Sequence, residues 1–108
     1  MENCITNDPV LMETALMASR NVIDPEIQLN VVDLGLIYQI DFDKEGKKLF
    51  CSMTLTTRFC PMGSTIKSDV ERCLSAAFPQ FCIVVDLVFD PPWNRERITE
   101  PGKEFLNR

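Results

Sequence analysis

Three observations predict a single small α/β (α+β) domain. The chain has 108 residues, 45% of them hydrophobic and 25% charged, enough for one core and too few for two. Two adjacent segments alternate apolar and polar residues with period 2 across a polar turn, the pattern of a β-hairpin. Two other segments carry apolar residues at helical spacing, one on each side of that hairpin, and a third apolar run closes the chain's folded part. The predicted order is α-β-β-α-β over one domain, 1–108, with 1–7 and 101–108 as loosely ordered tails.

Asp8-Pro9 opens the first element, since Asp caps free amides and Pro at the next position gives up a donor that would be unpaired anyway. Leu11, Ala15, Ala18 and Val22, flanked by Met12, Leu16, Ser19 and Ile23, give that helix a broad buried stripe ending before Asp24-Pro25. Residues 24–35 are mixed in period and read as an ordered connection. Leu36, Tyr38, Ile40 and Phe42 then alternate with Ile37, Gln39 and Asp41. After a turn at Asp43-Lys44-Glu45-Gly46, Leu49, Cys51, Met53 and Leu55 alternate with Phe50, Ser52, Thr54 and Thr56. Pro61 is placed to start the second helix, with Met62, Ile66, Val70, Cys73, Leu74 and Ala77 inward and Pro79 as its stop.

The last run, Phe81 to Phe89, is apolar on both parities, as in a strand covered on both faces or lying mid-sheet. A helical crossover from the hairpin makes it parallel to its hairpin partner, with a right-handed connection. The result is a mixed three-stranded or slightly larger sheet with the helices packed on one face. Beyond Asp90-Pro91-Pro92-Trp93 the chain turns charged and supports at most a short terminal helix pinned by Phe105 and Leu106.

Charge and composition exclude several functions. Eleven basic against sixteen acidic residues leave a net charge of −5, the wrong sign for binding phosphate backbones, so no nucleic-acid partner is expected. Histidine is absent, which removes the usual general base and the Ser-His and Cys-His pairs. No run approaches the roughly 18–20 apolar residues of a membrane span, and the N-terminus lacks a signal peptide's basic and apolar regions. A cytoplasmic protein with no membrane partner is expected. The five cysteines, at 4, 51, 60, 73 and 82, include no C-x-x-C pair, so no zinc site and no disulfide framework are expected.

Cys60 is the residue best placed for chemistry. In Thr56-Thr57-Arg58-Phe59-Cys60-Pro61 it stands where a strand ends and a helix begins. There the helix's positive end favours thiolate over thiol, and Arg58 adds a cation two residues away. A small apolar side chain at a cap position is the competing reading, and the residues alone leave both open. Thr57 is close enough in sequence to help hold a thiolate. Cys51 and Cys73 read as core, Cys82 fits either role and Cys4 lies in the tail. The acidic pairs at Asp24-Pro25, Asp33-Leu34 and Asp90-Pro91 read as turn formers whose carboxylates accept local backbone bonds, with no catalytic pair among them. Trp93, held extended by two prolines, either closes the core edge or offers a flat apolar contact.

Taken together, Asp24-Pro25-Glu26, Asn30-Val31-Val32-Asp33-Leu34-Gly35-Leu36-Ile37-Tyr38, Met53-Thr54-Leu55-Thr56-Thr57 with Cys60-Pro61, and Asp90-Pro91-Pro92-Trp93 resemble the metal-sulfur cluster assembly family. That family includes the PaaD-like and SufT-like proteins, the DUF59 type of domain. The resemblance spans residues 10–100 in order. It implies a non-enzymatic accessory factor in iron-sulfur protein maturation, with Cys60 as the reactive, cluster-handling residue and Asp33, Thr57, Arg58, Pro61 and Trp93 as supporting motif members. The implied cargo is an iron-sulfur cluster held transiently, with Cys60 as one shared metal ligand. The implied partners are apo iron-sulfur client proteins and other assembly proteins. The chain lacks the C-terminal cysteine cluster of longer PaaD-like members and carries Arg58-Phe59 where a glycine-rich approach is common. Four-iron clusters take four thiolates, so Cys60 must share ligation with a second copy, a client or a small thiol. Sharing with a second copy would make a homodimer. The rival readings are a protein-protein adaptor with a structural Cys60 and a cysteine-nucleophile enzyme, for which no proton acceptor is evident.

Overall fold

A computed structural model describes residues 5–57 and 61–107. Its elements are β1 (Ile5–Thr6), α1 (Pro9–Ser19), β2 (Ile37–Asp43), β3 (Lys48–Met53), α2 (Gly63–Ala77), β4 (Cys82–Leu87), a 3-10 turn at Arg95–Arg97 and α3 (Glu100–Leu106). The sheet has the order β1-β2-β3-β4. The β2–β3 hairpin is antiparallel, and the two outer strands, β1 on β2 and β4 on β3, are parallel to their neighbours. The expected α+β class, the hairpin and the parallel last strand are all present.

Asp8 caps α1 as its sequence position predicts, its carboxylate accepting from the Leu11 amide. Met12, Ala15, Leu16 and Ser19 face inward. They meet Ile66, Val70 and Leu74 of α2 and Ile40, Phe42, Leu49, Cys51, Met53 and Val85 of the sheet in one core. Phe42, Phe78 and Phe81 close one end of it, with ring centroids 5.5–6.0 Å apart and tilted or edge-on geometry.

Several expectations are corrected. Residues 5–6, read as tail, pair with Gln39 and Ile40 and give the sheet a fourth strand. Helix α1 stops at Ser19, so Val22 is buried from the following turn while Ile23 is half exposed. A register irregularity between Ile37 and Gln39 buries Ile37 and turns Tyr38 partly outward, where its hydroxyl donates to Pro91 O at 2.8 Å. Helix α2 starts at Gly63 rather than Pro61, because Pro61 and Met62 form a turn. A Cβ at Gly63 would lie 2.7 Å from Leu55 Cδ1, so the first turn of α2 sits close against the segment that follows β3. Met62 is consequently exposed, and Cys73 is half-buried beside Asn21, Val22, Asp69, Arg72 and Ala76. Strand β4 lies at an edge: among the described residues it pairs with β3 alone, and Cys82 is exposed. At the C-terminal end a short helix forms as allowed for, but Phe105 is exposed and Leu106 alone of the two packs on the core.

Candidate functional site

Three of the motif segments, 30–38, 53–57 and 90–93, meet at one end of the sheet, where β3 and β4 finish and β2 begins. Chain polarity brings them there: β2 runs antiparallel to β3, so the residues entering β2 lie beside those leaving β3. The Thr54 amide accordingly donates to Leu36 O at 2.8 Å, and Val88 N donates to Met53 O at 2.8 Å. Thr54 and Leu55 are buried, and Leu55 supports the first turn of α2. Beyond this anchored strand end Thr57 and Pro61 are both exposed. Arg58 and Cys60 lie outside the described residues. Met62, the N-cap of α2, makes no side-chain hydrogen bond to the first turn, so the positive end of a fifteen-residue helix is not neutralised by its cap side chain.

Behind this corner the loop Asp33-Leu34-Gly35 is locked by the C-terminal segment. Trp93 Nε1 donates to Leu34 O at 2.6 Å, and Arg97 Nε donates to Gly35 O at 2.8 Å. The Arg97 guanidinium also lies over the Tyr38 ring, 4.2 Å from its centroid. Gly35 has φ +76°, and a Cβ there would fall 2.4 Å from Arg97 O, so the close approach requires glycine twice over. Trp93 is thus a clasp on the core edge, which decides between the two roles its sequence position left open.

Asp33 is the centre of the lock. Its carboxylate accepts from Asn30 Nδ2 at 2.8 Å, from Thr99 Oγ1 at 2.9 Å and from Arg20 Nη1 at 3.3 and 3.4 Å. Its own amide donates to Asn30 Oδ1 at 2.8 Å, and its carbonyl accepts from Thr99 N at 2.9 Å. Thr99 in turn caps α3, accepting from Gly102 N at 3.2 Å. This aspartate, 7% exposed as a residue and satisfied by these donors, holds three parts of the chain together: the end of α1, the loop before β2 and the start of α3. Asp24 is likewise internal, its Oδ1 accepting from the amides of Glu26 and Ile27 as a turn former does.

Asp33 and Trp93 therefore both fix the loop before β2, while Thr57 and Pro61 are exposed on the segment between β3 and α2. Sequence reasoning missed Arg20, Asn30, Arg97 and Thr99 as the partners that make that loop rigid. Thr99 had a readable signal, since Thr-Glu-Pro is a cap followed by a proline of the first turn. Arg97 had none. Among the described residues no three Cys, Asp or Glu side chains converge as a metal-binding group, and no helix is long and apolar enough to cross a membrane.

Comparison with known proteins gives the same picture. Residues 13–82 match the family model described as "Iron-sulfur cluster assembly protein". The chain is 32% identical over 99 residues to the Fe-S protein maturation auxiliary factor YitW of Bacillus subtilis, covering 92% of this chain and 96% of that protein. It is 39% identical over 88 residues to the Fe-S protein maturation auxiliary factor SufT of Staphylococcus aureus, covering 79% and 96%. Among solved structures, a DUF59 domain from Bacillus anthracis superposes with a TM-score of 0.84 at 35% identity, covering 91% of this chain and 92% of that one. A conserved hypothetical protein of Thermotoga maritima gives 0.75 at 36% identity over the whole of both chains. With more than half its length matched by the family model, and with a fold shared at this identity, the chain belongs to the iron-sulfur cluster assembly protein family of DUF59 domains.

Proposed function

We propose that this protein is an accessory factor in iron-sulfur protein maturation that offers the Cys60 thiolate as a transient ligand to a cluster on its way to a client. The observation that carries the reading is the convergence of the motif segments 30–38, 53–57 and 90–93 at the end of β3, from which the chain leads in sequence into Cys60-Pro61. Relatives named as Fe-S protein maturation auxiliary factors support the process. The positive end of α2, to which the Met62 side chain gives no hydrogen bond, and the Arg58 cation two positions from Cys60 in the sequence support a thiolate.

The cluster is cargo in this scheme. On loading, the Cys60 thiol gives its proton to solvent and its Sγ replaces one existing ligand on an iron. On hand-over, a client thiolate forms its own iron–sulfur bond and the Cys60 Sγ–iron bond breaks. Each step is ligand exchange, so no iron changes oxidation state and no product is turned over. Other thiolates must complete the coordination, from the client, an assembly protein or a small thiol. Asp33 and Trp93 serve by fixing the loop before β2, and Thr57 and Pro61 by flanking the thiolate.

Cys82, exposed on β4, provides an internal standard for the chemistry. Iodoacetamide labelling at neutral pH, mapped by peptide mass spectrometry, should modify Cys60 at least several-fold faster than Cys82. Labelling of Cys60 no faster than Cys82 would remove the chemical basis of the transfer role and leave the adaptor reading, in which Cys60→Ser keeps client maturation intact.

A further inference from the structure

Helix α1 has an apolar side that the fold does not use. Its buried residues Met12, Ala15, Leu16 and Ser19 lie on one side of the helical wheel, and at 100° per residue Val10 and Met17 fall opposite them. Both are among the most exposed large apolar side chains of the chain, Val10 at 77% and Met17 at 71%. Charged residues flank this stripe: Glu13 and Arg20, seven positions apart, both exposed and on the same side of the line from Val10 to Met17. Two turns separate them along the axis, and their charges are opposite.

This pattern is self-complementary under a two-fold axis. When two copies of α1 lie antiparallel with the axis crossing next to Met17, a residue on one flank stays on that flank and its position along the helix is reversed. Glu13 of one copy then meets Arg20 of the other, and Arg20 meets Glu13. The two Met17 side chains pack against one another at the centre, and each Val10 comes opposite the segment around Ile23, which is itself half exposed beyond the end of the helix. Charge also argues for this location. The molecule carries a net charge of −5, so a face with an acidic excess repels a second copy. The α1 stripe, with one Glu and one Arg, is neutral.

We propose that this protein self-associates through α1 as an antiparallel, two-fold symmetric helix pair centred on Met17, with reciprocal Glu13–Arg20 contacts. Only Nη1 of Arg20 reaches Asp33, at 3.3 Å, and the side chain is 46% exposed, so the guanidinium has room for a second carboxylate. An eleven-residue helix is about 16 Å long, so the interface is small and the dimer forms at high protein concentration. The inference stands independently of how Cys60 acts.

Single cysteines introduced into the full-length chain test both the interface and its register. In the proposed pairing the two positions 17 lie almost directly opposite one another, whereas the two positions 10 are about 20 Å apart along the axis. Under mild oxidation Met17→Cys should give an intermolecular disulfide between the introduced cysteines in at least ten-fold higher yield than Val10→Cys, with native-cysteine links separated by peptide mapping. Both sites are exposed, and circular dichroism confirms that the variants fold. Met17→Glu, which sets two carboxylates at the axis, should shift the sedimentation coefficient of concentrated protein to that of the monomer. Equal disulfide yields at the two positions, or wild-type protein that sediments as a monomer at millimolar concentration, would overturn the proposal.

Discussion

Removing the carboxylate of Asp33 should loosen the C-terminal third of the molecule before it affects anything else. Asp33→Ala deletes the acceptor of two short hydrogen bonds, from Asn30 Nδ2 at 2.8 Å and Thr99 Oγ1 at 2.9 Å, in a residue that is nearly buried. Hydrogen bonds to a charged acceptor contribute about 1.5–3 kcal/mol each, so these two together are worth about 3–6 kcal/mol. The Arg20 bond adds little, being longer and half exposed to solvent. For a domain of this size that loss lowers Tm by on the order of 15–30 °C. Asp33→Asn, which keeps one acceptor oxygen and sets an amide against the remaining donors, should lose about half as much. Thermal denaturation followed by circular dichroism gives the magnitude. Amide hydrogen exchange gives the location, because the amides of Thr99 and Gly102 depend on Asp33 O and on the Thr99 hydroxyl that Asp33 orients. An Asp33→Ala protein that melts within about 1 kcal/mol of wild type, with those two amides still protected, would show that the carboxylate is not a structural hub.

Two other perturbations probe the same frame. Gly35→Ala should cost at least about 1–2 kcal/mol in denaturant titration from the left-handed backbone alone, with more from the 2.4 Å approach to Arg97 O, and an unchanged midpoint would refute the close packing described at that loop. The Asp8 carboxyl is held below the ordinary carboxylate range by its hydrogen bond to Lys44 and by the Leu11 amide. Its folded-state pKa is depressed, so the stability it lends is complete above the unfolded value and is lost as pH falls through the folded one. Asp8→Ala should therefore destabilise the protein at neutral pH and make little difference at pH 2, as read from melting curves at both pH values, and an equal penalty at both would contradict the assignment.

Local patterns made the central hairpin legible. Leu49, Cys51 and Met53 alternate with Lys48, Phe50 and Ser52, and the structure buries the first set. The parallel β4 followed from the helical crossover between it and β3. Strand β1 was not legible, because two residues carry no period and their pairing with Gln39 and Ile40 is set by a partner more than thirty positions away. The start of α2 was misjudged because Pro61 suits a first helical position, whereas Pro61 and Met62 form a turn and the helix begins at Gly63. Strand β4 misled through its apolar outer parity, which sequence reads as burial and the structure places at an edge. In the candidate site, Asp33 and Trp93 were identifiable as motif members from the resemblance alone. What they do depends on Thr99, 66 residues from Asp33, and on Leu34, 59 residues from Trp93, contacts that no local pattern encodes.

The central claim is that Cys60 handles a cluster, and the most direct measurement is anaerobic reconstitution of the purified protein with iron and sulfide, in the presence of a client apoprotein and a physiological thiol. Visible absorption of the protein-bound cluster should appear with wild type and be lost with Cys60→Ser, while Cys82→Ser, altered at an exposed cysteine on β4, keeps the wild-type signal. Retention of the full signal by Cys60→Ser, or no cluster signal from wild type under these conditions, would contradict the account.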